Sequence, residues 1–125
     1  ASRDLSWDEQ QGGHTLSRHV GRGERELAER LEREGGIAAA SSFADRATAE
    51  EVVGRTLVRE QERVAGWLQR DRENLTLDYR GTAEQTIGWV LLRGESRPVA
   101  ARDARVVLRK RGEHYFVLNS YPVQP

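Results

Sequence analysis

The stretch Gly12-Gly13-His14-Thr15-Leu16-Ser17-Arg18-His19-Val20-Gly21-Arg22-Gly23-Glu24-Arg25-Glu26-Leu27-Ala28-Glu29-Arg30-Leu31 sets the architecture of this chain and holds two of its three histidines. At about 100° per residue, Leu16 and Val20 form one narrow apolar stripe, and Leu27 and Leu31 form a second with the same spacing. Both stripes require a core. His19 lies roughly 80° from the centre of the first and Arg30 roughly 80° from the centre of the second, so both are boundary positions, partly desolvated with one edge open. His14 and Arg25 lie about 140° away and are expected to be more solvated.

On one continuous helix His19 and Arg30 would stand about 16 Å apart along the axis, too far to share a phosphate. Gly21 and Gly23 are poor helix formers that accept φ > 0, so the chain can turn after Val20 and restart near Gly23 or Glu24. Two short helices could then converge on one cleft. The same pattern also fits two amphipathic helices whose boundary residues are simply solvated.

Working outward, residues 1–11 form a polar lead-in that is expected to dock through Trp7. Gly35-Gly36 ends the second helix, and residues 37–43 read as a buried connector or a short strand. Thr48 and Glu51 match a capping box. Val52, Val53, Leu57, Val64, Trp67 and Leu68 keep helical spacing to about Arg70, as one helix or two joined near Val58. From Asn74 the pattern turns to β: Leu75, Leu77 and Tyr79 alternate with polar residues, and residues 86–92, 104–109 and 115–121 repeat the signature, with turns at Gly81, residues 94–98 and Gly112. Helices followed by antiparallel strands make an α+β domain over residues 12–125, the helices laid on a sheet. In the last strand, period two places Asn119 and Tyr121 on one face with Tyr115 and Val117, and Phe116, Leu118 and Ser120 on the other; Pro122 is expected to end the ladder.

Composition narrows the chemistry. The 125 residues suit one domain with a real core. The chain has no cysteine, which removes disulfides, thiolate metal sites and cysteine nucleophiles together. The absence of methionine is expected of a piece of a longer protein, and no apolar run approaches the roughly 20 residues that span a bilayer. Twenty basic and twenty acidic residues balance, so an anion site must be local rather than a bulk-charge effect. Lys110 is the only lysine; arginine's planar fork suits phosphate, though an arginine-rich coding bias gives the same count. There is no phosphate loop ending in Lys-Ser or Lys-Thr, no His-Glu-x-x-His, no Cys-x-x-Cys and no Gly-x-Ser-x-Gly. His114 stands at a turn and is expected to be solvated. What remains is a set of His, Arg, an amide and a phenol, with no cofactor or metal motif. That set suits phosphoryl transfer on RNA, histidine taking the 2′-hydroxyl proton and arginine stabilising charge on phosphorus. A non-catalytic protein- or nucleic-acid-binding module and a metal-free DNase are the competing readings.

Asp4-Leu5 through Gly12-Gly13-His14-Thr15, Arg18-His19-Val20-Gly21 and Leu27…Arg30-Leu31 resemble the opening of the RNase A-like toxin domain found at the C-termini of bacterial CdiA and other polymorphic toxins. Ala40-Ser41-Ser42-Phe43-Ala44-Asp45, Thr48-Ala49-Glu50, Trp67-Leu68, Ile87-Gly88, Val106-Val107-Leu108 and Tyr115…Val117-Leu118…Tyr121-Pro122 follow in the family's order. The resemblance implies a fold like pancreatic ribonuclease without disulfides and a metal-independent RNA endonuclease, with tRNA among the candidate substrates. It further implies secretion as the C-terminal part of a larger toxin, delivery to the target-cell cytoplasm in contact-dependent growth inhibition, and restraint by a cognate immunity protein. The family's site of one His, one Arg, and Thr and Tyr from a Thr-x-Tyr-Pro motif carries over as His19, Arg30, Asn119 and Tyr121. Asn119 replaces the family's threonine, and Arg22-Gly23 replaces its Lys-Thr. His14 stands as a further acid or substrate contact, since His14 and Arg25 repeat the spacing of His19 and Arg30. The domain by itself is expected to be monomeric and not to insert into membranes. An acidic inhibitor surface would find its footing on Arg18, Arg22 and Arg30; alternatively those arginines pair with carboxylates such as Glu26 and Glu34.

Overall fold

The computed structural model describes residues 2–124; Ala1 and Pro125, at the outer ends of the two segments read from the sequence, lie outside the described residues. Three short helices open the chain: α1 (Leu5–Gln10), α2 (Thr15–His19) and α3 (Glu24–Arg33). The break between α2 and α3 falls where the glycines place it, with Gly21 at φ +67° and Gly23 as the N-cap of α3. Gly21 N–H donates to the Phe43 carbonyl at 3.1 Å and Arg22 N–H to Ser42 Oγ at 2.9 Å, which hold the turn on strand β1 (Ala39–Phe43). The run at residues 37–43 thus supplies a strand. α4 (Arg46–Arg59) and α5 (Gln61–Leu68) meet at Glu60. The N-cap of α4 is Asp45, whose carboxylate accepts from Thr48 N–H at 2.8 Å, so the helix starts earlier than the Thr48…Glu51 pattern suggests. Asp is the stronger cap, and it makes the bond that a Thr48 cap would have made one turn later.

The strands divide into two three-stranded antiparallel sheets. One has the order β1, β3 (Gly88–Leu92), β4 (Val99–Ala101); the other has β2 (Asn74–Tyr79), β5 (Asp103–Arg111), β6 (His114–Val123). β4 carries no legible strand signature because it is three residues long and follows a Gly/Pro-rich turn. Leu5, Phe43, Val53, Leu77, Leu108 and Val117 belong to the main core beneath α4 and α5, while Leu27 and Leu31 of α3 close a second cluster with Ala40 and Leu91. At roughly 1.5–3 kcal/mol for each fully buried aliphatic side chain, these contacts are what hold α3, too short to be stable alone, against the first sheet.

β6 departs from simple alternation. Asn119 pairs with Val107 and Val117 pairs with Leu108, so Leu118 is an extra residue, a β-bulge. Residues opposite consecutive positions of β5 face opposite ways, so Val117 and Tyr115 point to the main core while Asn119, Tyr121 and Phe116 share the other face. The shared face of Asn119 and Tyr121 stands; the placement of Val117 and Tyr115 beside them does not, because the bulge inverts the period. Pro122 also fails to end the ladder: it pairs with Ala104, and the strand runs on to Val123. β6 is an edge strand of its sheet, where a residue without an N–H is tolerated.

Candidate active site

The bulge and the N-terminal helices build the cleft together. Where β6 leaves its ladder, Val117 N–H donates to Asp8 Oδ1 of α1 at 2.7 Å and His14 N–H donates to the Leu118 carbonyl at 3.0 Å. Asp8 is fully buried, its charge matched by a bidentate pair with Arg3 at 2.8 and 3.0 Å. Gly13 lies so close that a Cβ there would stand 2.4 Å from the Val117 carbonyl oxygen. His14 is thereby set beside Asn119, whose amide, with the Glu9 carboxylate, favours the charged imidazole; burial and Arg18 oppose it and hold its pKa below the usual value.

His19, at the end of α2, is 3 % exposed, deeper than its place on the helical wheel suggests. β1 accounts for the difference. Its Ser41 carbonyl lies 3.1 Å from His19 Nδ1. A carbonyl only accepts, so Nδ1 carries the hydrogen and Nε2 the free lone pair. Nε2 is buried and has no hydrogen-bond partner among the described residues. Burial lowers the pKa of His19 to about 4, with Arg30, His14 and Arg18 acting in the same direction against the Ser41 bond. The imidazole is therefore neutral at physiological pH, a base with its acceptor nitrogen unspent. The Tyr121 ring lies 5.5 Å from it, tilted by 43°.

Arg30 approaches from α3, its Nη1 3.5 Å from His19 Nδ1. Because Nδ1 already donates to Ser41, this is a contact between two donors, and its effect is to oppose protonation of the ring. Arg30 Nε donates to Glu34 at 3.0 Å, one helical turn on, which fixes the guanidinium. The ten residues between His19 and Arg30 are thus folded back by the glycine turn, and the 16 Å of a straight helix is closed.

His14, His19, Arg30, Asn119 and Tyr121 are brought together where α2, α3 and β6 meet, and His14 is half-buried rather than solvated, its N–H bound to the Leu118 carbonyl and its ring beside Asn119. Arg25 stays exposed, paired among the described residues with Glu29 at 3.8 Å. His114 is exposed at the β5–β6 turn. Beside the cleft, Arg18, Arg22, Arg30 and Arg33 line a groove of about 260 Å³ with Glu26, Glu29 and Glu34. Arg22 pairs with Glu26 and Arg30 with Glu34, as the spacing allows, while Arg18 and Arg33 make no ion pair among the described residues. Larger concavities, about 970 Å³ around Trp7 and Tyr115 and about 490 Å³ around Tyr79 and Arg55, lie elsewhere and contain none of these groups. Among the described residues no three His, Asp or Glu side chains gather to hold a metal ion. Two contributors were not legible in sequence: the Ser41 carbonyl, a backbone group that no side chain announces, and Glu9, which caps α2 by accepting from Ser17 N–H at 3.1 Å and lends its charge to His14.

No curated protein matches the chain. The crystal structure of the CdiA-CT/CdiI complex from Y. kristensenii 33638 shares 30% sequence identity with it over 90% of this chain and 100% of that one, with a TM-score of 0.81. The family of the bacterial CdiA-CT RNase A domain matches residues 13–122, from the glycine beneath the bulge to the proline on the edge strand. With that span and that fold, the chain belongs to the bacterial CdiA-CT RNase A domain family.

Proposed function

We propose that the chain is a toxin domain that cleaves RNA endonucleolytically, without a metal ion, by attack of a 2′-hydroxyl on the adjacent phosphate. The observation that carries this reading is the unpartnered Nε2 of His19, held by Ser41 beside the Arg30 guanidinium. An unpaired buried acceptor is costly, and a substrate hydroxyl is the group that would satisfy it. His19 Nε2 takes the 2′-hydroxyl proton as the 2′-oxygen bonds to phosphorus. Arg30 and the Tyr121 hydroxyl stabilise the charge that develops on the phosphoryl oxygens. The bond from phosphorus to the 5′-oxygen then breaks, and His14, as imidazolium, gives its proton to that leaving oxygen. Binding the phosphate raises the pKa of His14, which burial, with Arg18 and Arg30, otherwise holds down. Asn119 donates its amide to a phosphoryl oxygen or a base edge, in the place of a hydroxyl. The products are a 2′,3′-cyclic phosphate and a 5′-hydroxyl.

The purified domain incubated with RNA in EDTA tests this. Expected are cyclic-phosphate ends, a His19→Ala variant slower by about 100- to 10,000-fold, and no cleavage of DNA, which lacks the attacking hydroxyl. Strict dependence on an added divalent ion, or DNA cut as fast as RNA, defeats the reading. A CdiI-like immunity protein is the partner that fits: its acidic surface would cover the groove lined by Arg18, Arg22, Arg30 and Arg33, and would compete with RNA for it.

A further inference from the structure

A second concavity adjoins the arginine groove. Arg22, Gly23, Glu24, Leu27, Trp89, Arg97 and Pro98 enclose about 430 Å³, within the roughly 300–1,000 Å³ of small-ligand clefts. Arg22 and Leu27 line both spaces, so the two are continuous. Trp89 is 44% exposed, although it sits on the central strand of its sheet.

Its surroundings explain the exposure. Period two places Trp89 on the same face as Leu91, which α3 covers with Leu27 and Leu31. Trp89 lies beyond that cover, toward the glycine start of α3. Its cross-strand partners are Ser42 and Ala100, both too small to pack over an indole. Ser42 Oγ is occupied by Arg22 N–H, so the turn after the catalytic histidine's helix is anchored directly across the strand pair from Trp89. The next residue back, Ser41, holds His19. Ser41 and Ser42 are adjacent on β1, so the strand that holds His19 at one residue pairs with Trp89 at the next. Arg22 is paired with Glu26, and Glu24 lines the same space; Arg97 brings a second positive charge, and it has no carboxylate partner among the described residues.

We propose that Trp89, flanked by Arg22 and Arg97, is a stacking subsite for an unpaired base of the RNA strand next to the nucleotides being cleaved. An exposed aromatic face between two cations is the arrangement that holds single-stranded nucleic acid: the base stacks on the ring and the arginines take the phosphates. The subsite makes the domain prefer single-stranded stretches several nucleotides long over a bare dinucleotide, with little choice of base at this position. The proposal deepens the ribonuclease reading and rests on it.

The test compares a 2′-O-methyl hexanucleotide, which cannot be cleaved, with a dinucleotide substrate. Hexamer affinity is measured by fluorescence anisotropy of a labelled strand, and dinucleotide cleavage by release of the 5′-product. Trp89→Ala should weaken the hexamer roughly 5- to 150-fold and leave dinucleotide cleavage unchanged, Trp89→Phe should recover most of the affinity, and Arg97→Ala should weaken the hexamer with a smaller salt dependence. Circular dichroism and urea unfolding of each variant show that it is folded. Hexamer affinity within twofold of the parent for Trp89→Ala, with the dinucleotide still cleaved, overturns the subsite and leaves the ribonuclease reading standing. Hexamer affinity that depends on Trp89 without any cleavage of the dinucleotide or of RNA supports the subsite and defeats the ribonuclease reading. An immunity protein that loses affinity for Trp89→Ala while the hexamer does not would make this face a protein contact and overturn the proposal.

Discussion

Acidifying the solution from about pH 7.5 to about pH 4.5 should remove about 2.5 kcal/mol of stability through His19 alone. The folded ring has a pKa of about 4 because it is buried, against 6.5 in an exposed histidine. Below 6.5 the unfolded chain binds a proton that the folded one refuses, so unfolding gains. The contribution is intact above 6.5, falls by about 1.4 kcal/mol near pH 5.5, and approaches about 3.4 kcal/mol once the pH is below both values. Carboxylates held low by their hydrogen bonds, such as Glu34 to Arg30 and Asp45 to Thr48, and His14 add their own pH dependence, so the measurement is a difference: urea unfolding of the parent and of His19→Gln at about pH 7.5, 6.5, 5.5 and 4.5. The advantage of the parent over the variant should shrink by about 1.4 and then about 2.5 kcal/mol along that series. A difference that stays constant to within about 0.5 kcal/mol would mean that His19 titrates as it does in water, and the assignment of a neutral, desolvated base would fall with it.

The same two histidines shape the rate profile: kcat/KM on RNA should rise as pH passes about 4 and His19 loses its proton, then fall as His14 loses its own, giving a maximum on the acid side of 6.5. A plateau extending above about pH 8 would exclude His14 as the acid. Gly13→Ala should destabilise the fold by about 3 kcal/mol or more, because the new methyl must displace the Val117 and Asp8 carbonyls, and thermal unfolding reads the loss; a fall in Tm of less than about 2 °C would show that the bulge is not held as described.

How far the sequence announced this molecule depended on whether the deciding group was a side chain. Leu16, Val20, Leu27 and Leu31 mark two helices and Gly21 and Gly23 mark the turn, because spacing and backbone freedom are local properties; these allow His19 and Arg30 to meet, and the tertiary contacts with β1 decide that they do. The depth of His19 was not legible: a helical wheel knows nothing of the Ser41 carbonyl, which arrives from a strand that follows twenty residues later. The bulge at Leu118 was also hidden. A run of Tyr115, Val117, Asn119 and Tyr121 reads as one face unless the partner strand is known, and only the pairing with Val107 and Leu108 exposes the inserted residue. Trp89 looked like one more apolar residue in a β-rich run; its exposure comes from the small size of Ser42 and Ala100 on the neighbouring strands, which are set by register rather than by the residues adjacent to it in sequence.

The bond from Val117 to Asp8 spans 109 positions, and the bond from His14 to Leu118 is nearly as long. Each ties an early helix to the strand that comes last in the order of elements, so the cleft is absent until that strand docks. Contacts this distant form late, after the loop between them has been closed. A chain still on the ribosome with β6 unmade has α2 and α3 but neither Asn119 nor Tyr121, and nothing holds His14. On the reading proposed here, incomplete synthesis products are harmless to the cell that makes them. Danger starts with the finished fold, and an inhibitor need only recognise that.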